Sequence, residues 1–338
     1  MANAILKSEY VSIFLFGESI IWLIFLALSI LAGWLLFWWD FDSYEKEQYK
    51  RERIAWLITT AVVALSLIKV ILLPYFVFTI DYLSRVVPGA MCGAGVISFN
   101  DYGVKLLYLK IAIVFVLMLW LVLNYEDLKD GKYPLFKLKI SLFMILSALL
   151  SLEIFWDFKF FLAIDIHKVI NCCSTLYGLL EGMNPLPYGL NQTTLLILFF
   201  ILFALIITSW LGEVDILLFI SLLLFFQIAY YTELYIFGTY IYQQPNHNCP
   251  FCMLQREYHY IGYLVWGSLF GGVFAGVLGL ISKHLLKREN KKLFKLMVLM
   301  LSIFVLMGVS YIALYYLQNG TLLQEIDNDS MGGMMMEM

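Results

Sequence analysis

Of 338 residues, 62% are hydrophobic and only 14% charged, against roughly 25% charged in soluble domains, so the chain reads as an all-α, polytopic integral membrane helix bundle. The formal net charge is −3 and most of the chain is apolar, which excludes a basic surface for nucleic acid and leaves membrane lipid as the expected surroundings. No P-loop, dinucleotide glycine fingerprint or hydrolase triad is present in the sequence.

Taken in order, eight apolar stretches are long enough to span a bilayer, at 11–39, 54–80, 104–124, 140–164, 193–212, 216–242, 261–282 and 296–318. The first ends in Trp38-Trp39-Asp40 with no small-residue cleavage site, so it is expected to be a retained helix and not a signal peptide. Only Gly212-Glu213-Val214-Asp215 separates the fifth stretch from the sixth, which leaves open one broken segment over 193–242 in place of two helices. Gly267, Gly271, Gly272, Gly276 and Gly279 in the seventh stretch predict close packing against a neighbouring helix. The tail, 319–338, is polar and then Met-rich, and is expected to be flexible. The whole chain, 1–338, reads as a single polytopic domain. A weak four-plus-four helix pseudo-repeat over 1–164 and 165–318 rests on Pro88…Cys92 and Pro245…Cys249, each with Cys four residues after Pro.

Orientation follows from the cations. Lys46, Lys50, Arg51 and Arg53 fill the first connector, Lys129, Lys132, Lys137 and Lys139 the third, and Lys283, Lys287, Arg288, Lys291, Lys292 and Lys295 the seventh. The opposite connectors and termini carry Lys7, Arg85, Lys168 and Arg256. The positive-inside rule therefore predicts both termini exofacial, with Cys92, Cys172, Cys173, Cys249 and Cys252 all on the outer side, facing the periplasm of a bacterial inner membrane or the exterior. Disulfides persist there.

The chemistry concentrates in Cys249-Pro250-Phe251-Cys252-Met253-Leu254-Gln255-Arg256. Pro250 suits the first turn of a helix, which would put Cys249 near the N-cap, where the positive helix end and Arg256 favour a thiolate. Adjacent Cys172 and Cys173 cannot readily bridge each other, so each is expected to serve another partner, Cys92 among them, or both to hold one metal or cofactor. This CxxCxxQR run resembles the motif of the DsbB-type disulfide-forming membrane proteins, which pass electrons from periplasmic thiols to quinone. The resemblance covers these eight residues; the family has four helices with both termini inside, unlike the arrangement expected here. It implies a thiol–disulfide oxidoreductase in which Cys249 and Cys252 are the redox pair beside quinone, and Arg256, with Gln255 next to it, lies on the quinone side. It further implies that Cys92 with Cys172 or Cys173 forms the second pair, and that an exofacial thiol protein is the electron donor.

Other readings stay open. The cysteines can be a plain stabilising bridge. With His247, His259 and the Met-rich tail, Cys249 and Cys252 can form a site for copper or another soft metal or metal cofactor. Met253 after Cys252 excludes a c-type haem attachment. An accessory subunit of a larger membrane complex is a third reading. Glu18, Lys69, Lys110, Glu153, Asp157 and Glu233 fall inside apolar stretches, where ionisable groups are costly and are either paired between helices or functional; Glu233 is the acid assigned to the quinone pocket, since quinone reduction takes up protons. Tyr230, Tyr231, Tyr235, Tyr240, Tyr242, Tyr258, Tyr260 and Tyr263 read as an outer aromatic belt.

Overall fold

The structure, a computed structural model, describes residues 3–39, 46–129, 135–169, 186, 189–245 and 247–323. Cys172, Cys173 and the Met-rich end of the tail lie outside these residues. Among the described residues there is no strand, and eight helices are long and apolar enough to cross a membrane. They are α1 (Glu9–Trp38), α2 (Lys46–Leu83), α3 (Gly103–Lys129), α4 (Phe136–Leu162), α5 (Gln192–Leu211), α6 (Asp215–Tyr242), α7 (Ile261–Leu285) and α8 (Lys291–Asn319). Many large apolar side chains point outward, Phe16, Phe37 and Ile71 among them; lipid tails satisfy such a surface and water does not. The chain is an integral membrane protein.

The fifth and sixth stretches are two helices. Glu213 takes a left-handed backbone (φ 56°), Gly212 donates its N–H to the Thr208 carbonyl and Val214 to that of Ser209, so the helical ladder ends before α6 begins at Asp215. Asn191 caps α5 by accepting from the Thr194 N–H at 2.7 Å. Gly320, at φ 71°, closes α8.

One local expectation is corrected. No α-helix starts at Pro250. Cys252–Leu254 and Arg256–Tyr258 are single 3₁₀ turns, and α7 starts at Ile261 after two left-handed residues, His259 (φ 55°) and Tyr260 (φ 57°). Cys249 is therefore not an N-cap, and the helix-end argument for its thiolate lapses.

The chain divides into two compact units, Met1–Pro88 with Val96–Val169, and Gly89–Gly95 with Ile170–Met338. In the first unit α1 packs on α2 and α4, and α3 on α2 and α4. Its core holds Phe25, Leu117, Trp120, Phe143 and Leu146, with Trp39 stacked on Phe136 at 3.7 Å. Near the α3–α4 turn, Lys139 Nζ lies 2.7 Å from Asp127 Oδ2 and 3.2 Å from Asn124 Oδ1, and Asp127 Oδ1 accepts from the Leu135 N–H at 2.8 Å.

In the second unit α5 and α6 form one antiparallel pair and α7 and α8 another, with α6 also against α7. Three of the five α7 glycines pack closely: a Cβ on Gly272 would stand 2.6 Å from Leu301, one on Gly276 2.7 Å from both Leu222 and Met297, and one on Gly279 3.0 Å from Phe294, whereas a Cβ on Gly267 or Gly271 would meet nothing within 4 Å among the described residues. Near its end α6 widens into a π-turn over Glu233–Phe237, closed by the Gly238 N–H on the Glu233 carbonyl five residues back. A Cβ at Gly238 would sit 2.7 Å from that carbonyl oxygen, which is why glycine stands there.

Candidate functional site

The segment Gly89–Gly95, from the connector between α2 and α3, belongs to the second unit and brings Cys92 to the Cys249–Cys252 turn. Cys92 Sγ and Cys249 Sγ are 3.5 Å apart, a contact between sulfurs and not the roughly 2 Å of a bond. Sulfur atoms of Cys92, Cys249 and Cys252 all lie within 4.8 Å of one another, and the three residues are 0%, 4% and 8% exposed. A further bond joins the same two segments: Gln255 donates its Nε2–H to the Met91 carbonyl at 3.2 Å.

Neighbouring helices hold the turn. Tyr242, the last residue of α6, donates its hydroxyl to the Cys249 carbonyl and accepts from the Met253 N–H at 3.0 Å. One phenol thus ties both ends of the Cys-Pro-Phe-Cys turn. Trp266 of α7 donates its Nε1–H to the Pro250 carbonyl at 3.1 Å. Met253 is fully buried, and Gly262 makes room for it, since a Cβ there would stand 2.5 Å from Met253 Cγ. Three helix positions therefore fix a stretch that has no regular ladder of its own. Buried backbone groups need partners, and here Tyr242 and Trp266 supply them.

Tyr258 packs edge-on against Tyr242 at 4.9 Å. Burial, and after it negative charge at Cys252, hold the Tyr258 hydroxyl above the ordinary tyrosine value, so it stays neutral beside the sulfurs. The remaining candidates are placed as follows. Arg256 is exposed on its 3₁₀ turn and Gln255 is half-buried. His247 packs tilted against Tyr242, ring centroids 4.3 Å apart, and His259 is exposed; among the described residues no histidine joins the sulfur group. Glu233 is buried in the π-turn, 1% exposed, and its Oε1 has no hydrogen-bond partner among the described residues. The other five membrane-embedded ionisable residues converge in the first unit, where every one of them is ion-paired.

Sequence reasoning missed Tyr242 and Trp266. Tyr242 was expected in an aromatic belt, and its burial at 5% exposure shows a different role. The available signal was its position, as the last aromatic of an apolar stretch shortly before the cysteine pair.

The chain matches no protein-family model, no curated protein and no solved structure.

Proposed function

We propose that the chain is a membrane thiol–disulfide oxidoreductase that passes electrons from an exofacial thiol protein to quinone. The 3.5 Å approach of Cys92 Sγ to Cys249 Sγ, inside a three-sulfur group, carries this reading. Thiol–disulfide exchange needs a thiolate within contact of the sulfur it attacks, and that is the separation here. With Cys249 and Cys252 joined, a Cys92 thiolate attacks Cys249; the Cys92–Cys249 bond forms, the Cys249–Cys252 bond breaks, and Cys252 leaves as the thiolate. A relay thiol from Cys172 or Cys173 then attacks Cys92; that bond forms, the Cys92–Cys249 bond breaks, and Cys249 leaves as a second thiolate. Cys249 and Cys252 together give two electrons to quinone as their bond re-forms, and the donor dithiol reduces the Cys92 disulfide, becoming a disulfide itself. Over the cycle two donor thiols become a disulfide, and the quinone takes two electrons and two protons. Cys172 and Cys173 are the relay to the donor in this scheme, Arg256 with Gln255 flanks the quinone, and the buried Glu233 supplies protons to it. The cation asymmetry of the connectors supports an exofacial position for all of these, in the inner membrane of a bacterium.

The test uses the full-length protein in nanodiscs with a reduced dithiol and a short-chain quinone. Quinone reduction that requires the protein, and is lost in Cys249→Ser and Cys252→Ser, is the expected result; a rate untouched by both substitutions refutes the reading.

The all-sulfur character of the group also fits a second function, binding of copper(I) or another soft metal, because three thiolates converging in a dry site are soft ligands. That reading requires metal to co-purify under anaerobic, reducing conditions and to be absent from the Cys249→Ser/Cys252→Ser double variant.

A further inference from the structure

The four helices of the first unit send five ionisable side chains to one point inside the membrane-spanning region. Glu18 comes from α1, Lys69 from α2, Lys110 from α3, and Glu153 and Asp157 from α4, where a spacing of four residues puts both acids on one face. None of the five is more than 4% exposed. Lys69 is paired with Glu18 and, at 2.8 Å, with Glu153. Lys110 Nζ reaches all three acids, with Glu153 Oε1 at 2.7 Å, Asp157 Oδ2 at 2.9 Å and Glu18 Oε1 at 3.4 Å. The rings of Phe14 and Phe76 face the same Nζ, their centroids 4.8 and 4.7 Å away.

Two ammonium groups thus face three carboxyl groups, and the fully ionised cluster carries an uncompensated negative charge. Such a charge is expensive in a bilayer interior. The location of the imbalance is visible in the hydrogen bonds. Both oxygens of Glu18, both of Glu153 and Oδ2 of Asp157 lie against a lysine. Asp157 Oδ1 is buried and has no hydrogen-bond partner among the described residues. A neutral hydroxyl left there forgoes one hydrogen bond, whereas an anionic oxygen would suffer the larger desolvation cost of an ion. A metal ion has no comparable place, because the space where the three acids come within 4.8 Å of one another already holds the Lys110 ammonium.

We propose that this cluster is a proton-binding site, holding one exchangeable proton on Asp157 Oδ1 while Lys69 and Lys110 keep Glu18 and Glu153 ionised. Binding forms one O–H bond, breaks none, and takes the cluster from one net negative charge to none. The charge balance of all four helices then depends on occupancy of a single oxygen. The inference is independent of the cysteine chemistry, which lies in the other unit.

Infrared difference spectroscopy of the full-length protein in lipid nanodiscs, titrated with pH in light and heavy water, tests it. A protonated-carboxyl C=O band is expected at neutral pH, moving in heavy water, shifting when aspartate carries a heavy carboxyl carbon, and absent from Asp157→Asn. The same band should survive Glu233→Gln, which removes the buried acid of the second unit. Absence of an aspartate-labelled carboxyl band at neutral pH overturns the proposal, and so does a band that persists in Asp157→Asn. Should Asp157→Asn fail to fold, the labelling of the unchanged chain still decides, since a merely structural ion network contains no protonated aspartate.

Discussion

Replacing Tyr242 with Phe isolates the contribution of one hydroxyl to the cysteine turn. The ring, buried at 5% exposure between His247 and Tyr258, keeps its packing, so the change removes two hydrogen bonds, one to the Cys249 carbonyl and one from the Met253 N–H. Both backbone groups belong to buried residues, and leaving a buried group unsatisfied costs about 1–3 kcal/mol each; if local relaxation or water recovers half, the turn loses about 2 kcal/mol. That loss falls on the turn, which no helix ladder reinforces, so it raises the open population roughly thirtyfold. The assay is the labelling rate of Cys249 and Cys252 by a maleimide under reducing conditions, read residue by residue by mass spectrometry, with helix content followed in parallel. Labelling of both cysteines should rise by more than tenfold while helix content and the melting of the bundle change little. Labelling at the wild-type rate in a folded protein refutes the assignment of Tyr242 as the bracket of the turn. A uniform rise at every cysteine would place the damage in global unfolding and refute it as well.

Gly262→Ala sets a methyl group 2.5 Å from Met253 Cγ and 2.9 Å from the Met253 backbone, and should cost about 1–3 kcal/mol, seen as a lower melting temperature together with faster Cys252 labelling. Lys139→Met strands Asp127, which is fully buried, and should destabilise by about 3–5 kcal/mol; adding Asp127→Asn should recover part of that, and a strictly additive double variant would argue against direct coupling. Asn191→Ala removes the cap on the Thr194 N–H and should cost about 1 kcal/mol, measurable as faster amide exchange confined to the first turn of α5.

The eight helices were legible because a bilayer imposes a length and a composition, and both are visible along a single chain. Each apolar stretch became a helix, with ends close to the expected ones for Asp215–Tyr242 against 216–242, while Lys46–Leu83 begins eight residues before the expected 54 because its first turns are charged. The α7 glycine stripe was legible in part: Gly272, Gly276 and Gly279 meet Leu301, Met297 and Phe294, but Gly267 and Gly271 meet nothing within 4 Å among the described residues. The site was less so. That Cys249 and Cys252 belong together follows from their spacing, but their meeting with Cys92, 157 residues from Cys249 in sequence, is set by tertiary packing that leaves no local trace. The expected helix start at Pro250 failed because proline at a first turn is only permissive. Here the bonds from Tyr242 and Trp266 and the left-handed pair at His259 and Tyr260 hold the backbone in 3₁₀ turns instead. The six membrane-embedded ionisable residues could be named from the apolar stretches that hold them, yet the convergence of five, Lys69 among them and Glu233 not, is set by tertiary packing, and the unequal count of acids and lysines gained meaning only once the atoms showed which oxygen had no partner.

The π-turn at Glu233–Phe237 works as an insertion that sets phase. An α-helix advances about 100° per residue, so a turn one residue wider than the α repeat rotates everything after it by about that angle relative to an uninterrupted helix. Tyr240 and Tyr242 lie after the turn and Thr232 before it. Deleting one residue between 233 and 237 would let α6 run on as a regular helix, swinging Tyr242 about a quarter of the way around the axis and away from the backbone of Cys249 and Met253. The geometry of the cysteine turn is thus set partly by an irregularity in the preceding helix, and the length of that helix, as much as the identity of its residues, is under structural constraint.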